Sequence, residues 1–141
     1  MSKIPTDLLQ GWDIVVIDDE PDSLEIGRYI LDFYGANVHT ATNGKEGVEL
    51  VEKIKPRFVI SDLSMPEMDG WEFLKELTST VSIKDIPVIA LTAHAMKGDR
   101  ERAIGAGFHN YLTKPLTATT FMDELLVLLM DIPQLSEYLT L

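Results

Sequence analysis

The chain has 141 residues, and its 12 Lys and Arg against 23 Asp and Glu give a formal net charge of -11. This length fits one domain, because typical domains hold about 100 to 150 residues around a single core. Hydrophobic residues make up 45% and cysteine is absent, which indicates an ordinary globular protein and excludes disulfides, thiolate metal sites and cysteine nucleophiles. The negative charge repels phosphate backbones, so we expect no direct nucleic-acid binding.

Short apolar runs of strand length alternate along the chain with segments of helical period. The runs at 14–17, 58–60 and 88–91 are rich in β-branched residues, which predicts central strands buried on both faces. Residues 37–41 and 110–114 are partly polar and fit edge strands. This alternation predicts an α/β fold, a doubly wound five-stranded parallel sheet covered by helices on both faces.

Five helices are predicted between and after these strands, each from a start or stop signal. Pro21 stands at the first helical position of the first helix. Asn43 and Asp69 predict N-caps for the second and third, since each is followed three residues later by Glu. The fourth helix is predicted over residues 97–106 and ends at Gly107, and Thr117 is the predicted cap of the fifth.

These elements fill residues 12–131 as one domain, with an N-terminal extension at 1–11 and a C-terminal tail at 132–141. Apolar residues recur at helical spacing in the tail, which leaves two interpretations open: an extra turn packed on the domain, or a docking segment. The N-terminus does not resemble a signal peptide, and the apolar runs fall far short of the roughly 20 residues that cross a bilayer. We therefore expect a cytoplasmic protein without membrane insertion.

Polar residues follow the strands at the edge of the sheet where ligands bind in open parallel folds, outside the carboxyl ends of the strands. The residues at these ends are Asp18, Asp19 and Glu20 after the first strand, Asp62 at the third, Thr92 at the fourth and Lys114 at the fifth. Carboxylates crowded on one rim repel each other unless a cation lies between them, and oxygen ligands alone suit Mg²⁺. Asp18 and Asp19 are the predicted ligands, because they share one loop.

The same edge carries the groups that phosphoryl transfer requires. With the ion held by the acid pair, Asp62 is free to present one oxygen to the metal and to attack a phosphoryl donor with the other. Lys114 and Thr92 are predicted to hold phosphoryl oxygens, since this reaction needs alignment and charge stabilisation. The sequence therefore favours an aspartyl-phosphate site.

Four segments resemble, in order and spacing, the motifs of the receiver domains of two-component response regulators. They are IDDEPDS from residue 17, SDLSMPEMDGWEF from 61, IALTAHA from 89 and NYLTKPL from 110. The resemblance spans about residues 12–131 and implies a flavodoxin-like fold with strand order 2-1-3-4-5. It implies a stand-alone regulator of the chemotaxis or cell-division type, unless the chain is a fragment of a larger regulator or hybrid kinase.

The resemblance also implies roles for individual positions. Asp62 corresponds to the phosphoacceptor, and Asp18 and Asp19 to the acid pair that holds Mg²⁺, in part through water. The backbone carbonyl of Ser64 corresponds to a further metal ligand, and its side chain to a rim position that tunes dephosphorylation. These residues form the implied phosphorylation site.

Further positions correspond to the switch and its surroundings. Thr92 and Lys114 match the hydroxyl and lysine of such domains, and Tyr111 matches the aromatic residue that turns inward in the active state. Pro115 resembles the proline after a cis peptide bond, and His94 is a second rim position. The resemblance implies a signalling phosphoacceptor that is not an enzyme. A histidine kinase or phosphotransfer protein would load it, and the surface of the fourth helix, fifth strand and fifth helix would engage a downstream protein.

Four other interpretations of the sequence are weaker or fail. An interaction module that binds its partner regardless of phosphorylation stays open. An aspartyl-nucleophile phosphatase would need an Asp-x-Asp pair and a cap insertion, and a flavin module would need phosphate donors where the acids stand. An EF-hand loop from Asp62 fails, because Pro66 and Met68 occupy positions where an oxygen ligand or the turn glycine belongs.

Overall fold

The computed structural model describes residues 4–65, 67–93 and 98–139. Strands and helices alternate along them in this order: β1 Asp13–Ile17, α1 Pro21–Phe33, β2 Asn37–Ala41, α2 Gly44–Ile54, β3 Phe58–Asp62, α3 Gly70–Thr78, β4 Val88–Thr92, α4 Asp99–Ala106, β5 Asn110–Thr113, α5 Phe121–Met130 and α6 Pro133–Ser136. The predicted alternation is confirmed. No helix in the described ranges is long and apolar enough to span a membrane.

The five strands form one parallel sheet in the order β2-β1-β3-β4-β5. The partly polar strands β2 and β5 lie at the two edges, as their sequences predict, and the apolar strands lie between them. The winding direction reverses between β1 and β3. Since ligands of such sheets bind at this reversal, outside the carboxyl ends, the fold places the candidate site next to Asp62.

Two hydrophobic clusters cover the two faces of the sheet. Ile14 and Val16 of β1 point into the cluster that α1, α5 and α6 close, whereas Val15 and Ile17 point into the cluster closed by α2, α3 and α4. Successive side chains of a strand face opposite sides of the sheet, so a strand buried on both faces has no position that faces solvent. This explains why the central strands are continuous apolar runs.

The helix starts agree with the predicted caps at three of four positions. Pro21 is the first residue of α1, and Asp69 forms a full capping box with Glu72, with N–H···O distances of 2.9 and 3.3 Å. The side chain of Asn43 accepts from the amide of Glu46, whose own carboxylate bonds the amide of Thr42. These bonds satisfy helix amides that would otherwise lack partners.

The predicted cap at Thr117 is wrong, because α5 begins four residues later, at Phe121. Residues 118–120 form a turn, and the Thr117 and Thr120 hydroxyls bond each other at 2.5 Å. Threonine hydroxyls compete with helix formation by offering local hydrogen bonds, which is why this segment stays a turn. The predicted start of the fourth helix at residue 97 lies outside the described residues.

Both ends of the described chain lie against the same side of the sheet. In the N-terminal segment Leu9 is fully buried and its amide donates to the carbonyl of Tyr34 at 2.9 Å. In the C-terminal segment Leu135 of α6 is buried in the cluster that α1 and α5 close, and the Arg57 guanidinium lies 4.2 Å from the centre of the Tyr138 ring. Residues 133–136 therefore form a packed turn, which is one of the two interpretations of the tail.

Candidate functional site

The carboxyl ends of three strands bring an ammonium group into contact with three carboxylates. Nζ of Lys114 lies 2.9 Å from Oδ2 of Asp18, 2.5 Å from Oε1 of Glu20 and 3.1 Å from Oδ2 of Asp62. One oxygen from each of these acids lies within 4.8 Å of the others. The predicted convergence of Asp18, Asp62 and Lys114 is therefore present, with Glu20 as an additional member.

Asp62 is held at two points by its local structure. Its Oδ1 accepts a hydrogen bond from the amide of Ser64 at 3.1 Å, and its Oδ2 faces Lys114. Behind it, Gly70 begins α3 so close to the strand end that a Cβ there would lie 2.3 Å from the carbonyl oxygen of Asp62. The absence of a side chain at Gly70 therefore allows the start of α3 to pack directly against the end of β3.

The acid pair after β1 is divided between the site and the surface. Asp18 is fully buried, and its Oδ1 accepts from the amide of Glu20 at 2.9 Å. Asp19 is exposed and does not belong to the group of converging carboxylates, whereas Glu20 does. Glu20 is extended, with φ -92° and ψ 113°, and alternate side chains of an extended segment share one side. The role of Asp19 as a metal ligand remains a prediction.

Burial and the shared ammonium set the protonation of this cluster. Burial raises the pKa of Asp18 to about 6, against the lowering effect of its hydrogen bonds with the amide of Glu20 and with Lys114. For Lys114, burial works to lower the pKa, but hydrogen bonds with Glu20, Asp18 and Asp62 raise it above its ordinary value. The lysine therefore stays charged, and Asp18 takes up a proton at a higher pH than an ordinary aspartate does.

The donor set fits a hard divalent cation. All three converging ligand groups are carboxylates, and the buried Oδ2 of Asp18 contacts the Lys114 ammonium at 2.9 Å without forming a hydrogen bond in the described part of the chain. Mg²⁺ prefers such oxygen ligands and is usually bound through one or two carboxylates, with water and phosphate completing its shell. The residues present thus suit this ion better than a softer metal.

Thr92 and Ser64 line one wall of an open cavity beside Asp62. The cavity has a volume of about 380 Å³ and extends toward α3 and α4, where Trp71 and Arg102 also line it. The Arg102 guanidinium lies 4.5 Å from the centre of the Trp71 ring. The cavity therefore opens next to the end of β3, although Asp62 itself is buried. His94, the second predicted rim residue, lies outside the described residues.

Two further predicted features lie on and after β5. The peptide bond between Lys114 and Pro115 is cis, as the resemblance implies. The hydroxyl of Tyr111 is buried without a hydrogen-bond partner in the described part of the chain, so the ring is turned inward in this structure. Burial, with the negative charge of Asp99, raises the pKa of Tyr111 above its ordinary value. The switching role of Tyr111 remains a prediction.

Replacing Asp18 by asparagine is expected to stabilise the metal-free protein. The amide keeps an acceptor for the Glu20 N–H but removes a buried charge whose pKa is raised from 3.8 to about 6. One pKa unit corresponds to about 1.4 kcal/mol, so we expect the free energy of unfolding near neutral pH to rise by about 1 to 3 kcal/mol. Urea denaturation in the presence of EDTA measures this change.

The pH dependence of the same variant provides its control. A raised pKa means that the folded state binds more protons than the unfolded state between about pH 4 and 6, so Asp18 lowers stability as the pH rises through that window. The advantage of Asp18→Asn should therefore be large near pH 8 and small near pH 4. An advantage of equal size at both pH values would contradict the assigned burial cost.

Comparison with known proteins finds a matching family and similar proteins over most of the chain. Residues 14–126 match the family described as response regulator receiver domain. An uncharacterised 14.6 kDa protein of Leptolyngbya boryana is 43% identical over 108 residues, which cover 77% of this chain and 82% of that protein. The polar-differentiation response regulator DivK of Brucella anthropi is 30% identical over 112 residues, 79% of this chain and 91% of DivK.

A solved structure agrees with the fold and bears on the metal. It is the receiver domain of a sensor histidine kinase of Pseudomonas aeruginosa, with a TM-score of 0.75 and 28% identity over 87% of this chain and 98% of that domain. That domain is described with a magnesium ion coordinated in its active site cleft. The comparison of folds and the comparison of sequences thus both give receiver domains.

Proposed function

This chain belongs to the family of response regulator receiver domains, and we propose that it accepts a phosphoryl group on Asp62 and thereby switches a protein-binding surface. The observation that carries the proposal is the carboxylate of Asp62, held by the Ser64 amide and Lys114 within a cluster of three converging acids that could hold a metal ion. Such a carboxylate is held in a fixed position next to the residues that line an open cavity, which suits a nucleophile toward phosphorus.

Mg²⁺ is the proposed cofactor. Asp18 and Asp62 would hold the ion, with Asp19 and the carbonyl of Ser64 as the further ligands that the resemblance implies. When bound, the ion supplies positive charge that offsets the repulsion between the acids and the phosphoryl oxygens. The side chains of this site then have to align the donor and balance the remaining charge.

In the proposed transfer, an oxygen of Asp62 forms a bond to phosphorus while the bond from phosphorus to the donor nitrogen breaks. The electron pair of that bond stays on the imidazole of a phosphohistidine, so charge and atoms balance. Lys114 lies close enough to move from the carboxylates to a phosphoryl oxygen, and Thr92, on the cavity wall beside Asp62, would donate its hydroxyl to another. The cavity leaves room for the donor.

The proposed partners are a histidine kinase or phosphotransfer protein as donor and a second protein as target. The target would bind the surface formed by α4, β5 and α5, where Tyr111 and Thr92 link the site to the surface. A groove of about 330 Å³ lies along β5 and α5, with Tyr111 and Leu112 on one side and the exposed Val127 on the other. Phosphorylation would bias this region between two arrangements, as a signalling switch requires.

Incubation with acetyl phosphate and magnesium followed by intact-mass measurement tests the proposal. The wild-type protein is expected to gain about 80 Da, the mass of one phosphoryl group. Acetyl phosphate supplies this group, so no phosphohistidine protein is needed in the experiment. Asp62→Asn should gain nothing, because an amide is not a nucleophile of this kind. Asp22→Asn, on the exposed start of α1, should gain the same mass as the wild type.

The outcome also distinguishes the alternatives. A protein that never gains mass, in the presence or absence of magnesium, would be an interaction module that works without phosphorylation. A protein that hydrolyses acetyl phosphate over many turnovers without a trapped phosphoryl group would be an aspartyl-nucleophile phosphatase. A stable or slowly lost mass increment confined to proteins with Asp62 supports the receiver function.

A further inference from the structure

The ammonium of Lys114 lies among the carboxylates that a divalent cation would need. Its Nζ contacts Asp18 and Asp62, two of the proposed metal ligands, at 2.9 and 3.1 Å. Mg²⁺ takes its oxygen ligands at about 2.0 to 2.1 Å and repels a neighbouring ammonium. The lysine therefore has to leave these two carboxylates when the ion enters, and it has to do so without leaving the site.

Glu20 differs from the other two carboxylates in its exposure. Its side chain is 58% exposed, whereas those of Asp18 and Asp62 are 0% and 5% exposed, yet its contact with Lys114, at 2.5 Å, is the shortest of the three. Glu20 is also the residue before α1, but its carboxylate makes no hydrogen bond to the start of that helix. The side chain reaches instead over the rim of the site to the ammonium.

From this geometry we propose that Glu20 is a positioning residue, which retains the Lys114 ammonium at the rim of the site while Mg²⁺ occupies the carboxylates of Asp18 and Asp62. The lysine then stays within reach of an arriving phosphoryl group without opposing the ion. Without Glu20, the ammonium has the buried acids as its remaining partners and competes with the metal for them. This inference rests on the proposed function, since it gives the site both an ion and a phosphoryl group.

Magnesium titration of the unphosphorylated protein tests the role of Glu20, with isothermal calorimetry as the readout. Glu20→Gln keeps the shape of the side chain and is expected to raise the dissociation constant for Mg²⁺ by about three- to tenfold. Asp22→Asn removes one negative charge nearby, on the first turn of α1, and should change the constant by less than about twofold. Glu20 is exposed, so its replacement should not prevent folding.

The background of Lys114→Met separates the proposed role from direct metal ligation. If Glu20 acts by retaining the lysine, Glu20→Gln in that background should change the magnesium constant no more than Asp22→Asn does. If the loss of affinity keeps its full size without the lysine, Glu20 binds the ion itself and the inference is wrong. An unchanged constant in Glu20→Gln alone would also overturn it.

A second measurement does not depend on the lysine variant. In ¹⁵N NMR spectra of the magnesium-saturated wild type, the Lys114 ammonium should exchange slowly with water because it remains bound to Glu20, and in Glu20→Gln its signal should be lost to fast exchange. Equal protection in both proteins would contradict the inference. If the wild type gains the phosphoryl mass but the magnesium titration or the NMR comparison gives the contrary result, this inference alone is overturned. The proposed function then stays intact.

Discussion

Replacing Lys114 by alanine is expected to lower the free energy of unfolding of the metal-free protein by about 3 to 5 kcal/mol, the usual cost of leaving a buried charge without its partner. Asp18 and Asp62 are buried and both contact the ammonium, so its removal leaves two carboxylates facing each other. Urea denaturation in EDTA near pH 8 measures the loss. Near pH 5 the loss should be smaller, because Asp18 can then take up a proton.

Magnesium and a second variant separate charge from packing in this result. Lys114→Met retains an apolar stem of similar length and should lose nearly as much stability as Lys114→Ala if charge is the cause. Saturating magnesium should restore much of the loss, since an ion at one hundred times its dissociation constant stabilises the folded state by about 2.7 kcal/mol. We expect Lys114→Ala to accept phosphate in part but to lose much of the conformational response. Wild-type stability of both variants in EDTA would contradict the assigned ion pairs.

Replacing Gly70 by alanine is expected to damage both stability and phosphorylation. The new Cβ would lie 2.3 Å from the carbonyl oxygen of Asp62 and 2.8 Å from Cα of Leu63, and both are backbone atoms that cannot rotate away. The loop after β3 has to shift, at a cost of about 1 to 3 kcal/mol. A displacement of the nucleophile of about 1 Å should slow phosphorylation by acetyl phosphate by about ten- to a hundredfold.

Gly105 provides a matched control for this substitution. It lies inside α4, and a Cβ there would meet no atom within 4 Å. Gly105→Ala should therefore raise the free energy of unfolding by up to about 1 kcal/mol, because alanine loses less conformational freedom in a helix. Phosphorylation should be unchanged. Equal phosphorylation rates in Gly70→Ala and the wild type would contradict the proposed dependence of Asp62 on close packing at residue 70.

Much of the fold could be predicted because its signals are local. The central strands are apolar on both faces, and Asp69 with Glu72 forms the capping box that the spacing predicts. The start of α5 could not be read in the same way, since Thr117 is as suitable a cap as Thr120 and the choice depends on the turn between them. The burial of Leu9 and Leu135 depends on tertiary packing, which no local pattern specifies.

The site was predictable where function requires a residue at a strand end, and less so where loop geometry decides. Asp18, Asp62 and Lys114 come together because parallel strands end at one edge. Asp19 was predicted as a ligand because it directly follows Asp18 in the sequence. In the structure, Glu20, two residues after Asp18, contacts the lysine instead. Alternation beyond a strand end was the signal that could have identified Glu20.

The most direct test of the central claim is the location of the phosphoryl group. Borohydride reduces an aspartyl phosphate to an alcohol, which marks the modified residue for peptide mass spectrometry after incubation with acetyl phosphate and magnesium. The account predicts reduction at Asp62, absent when magnesium is removed with EDTA. Reduction at Asp18, at Asp19 or at any residue other than Asp62 would contradict it.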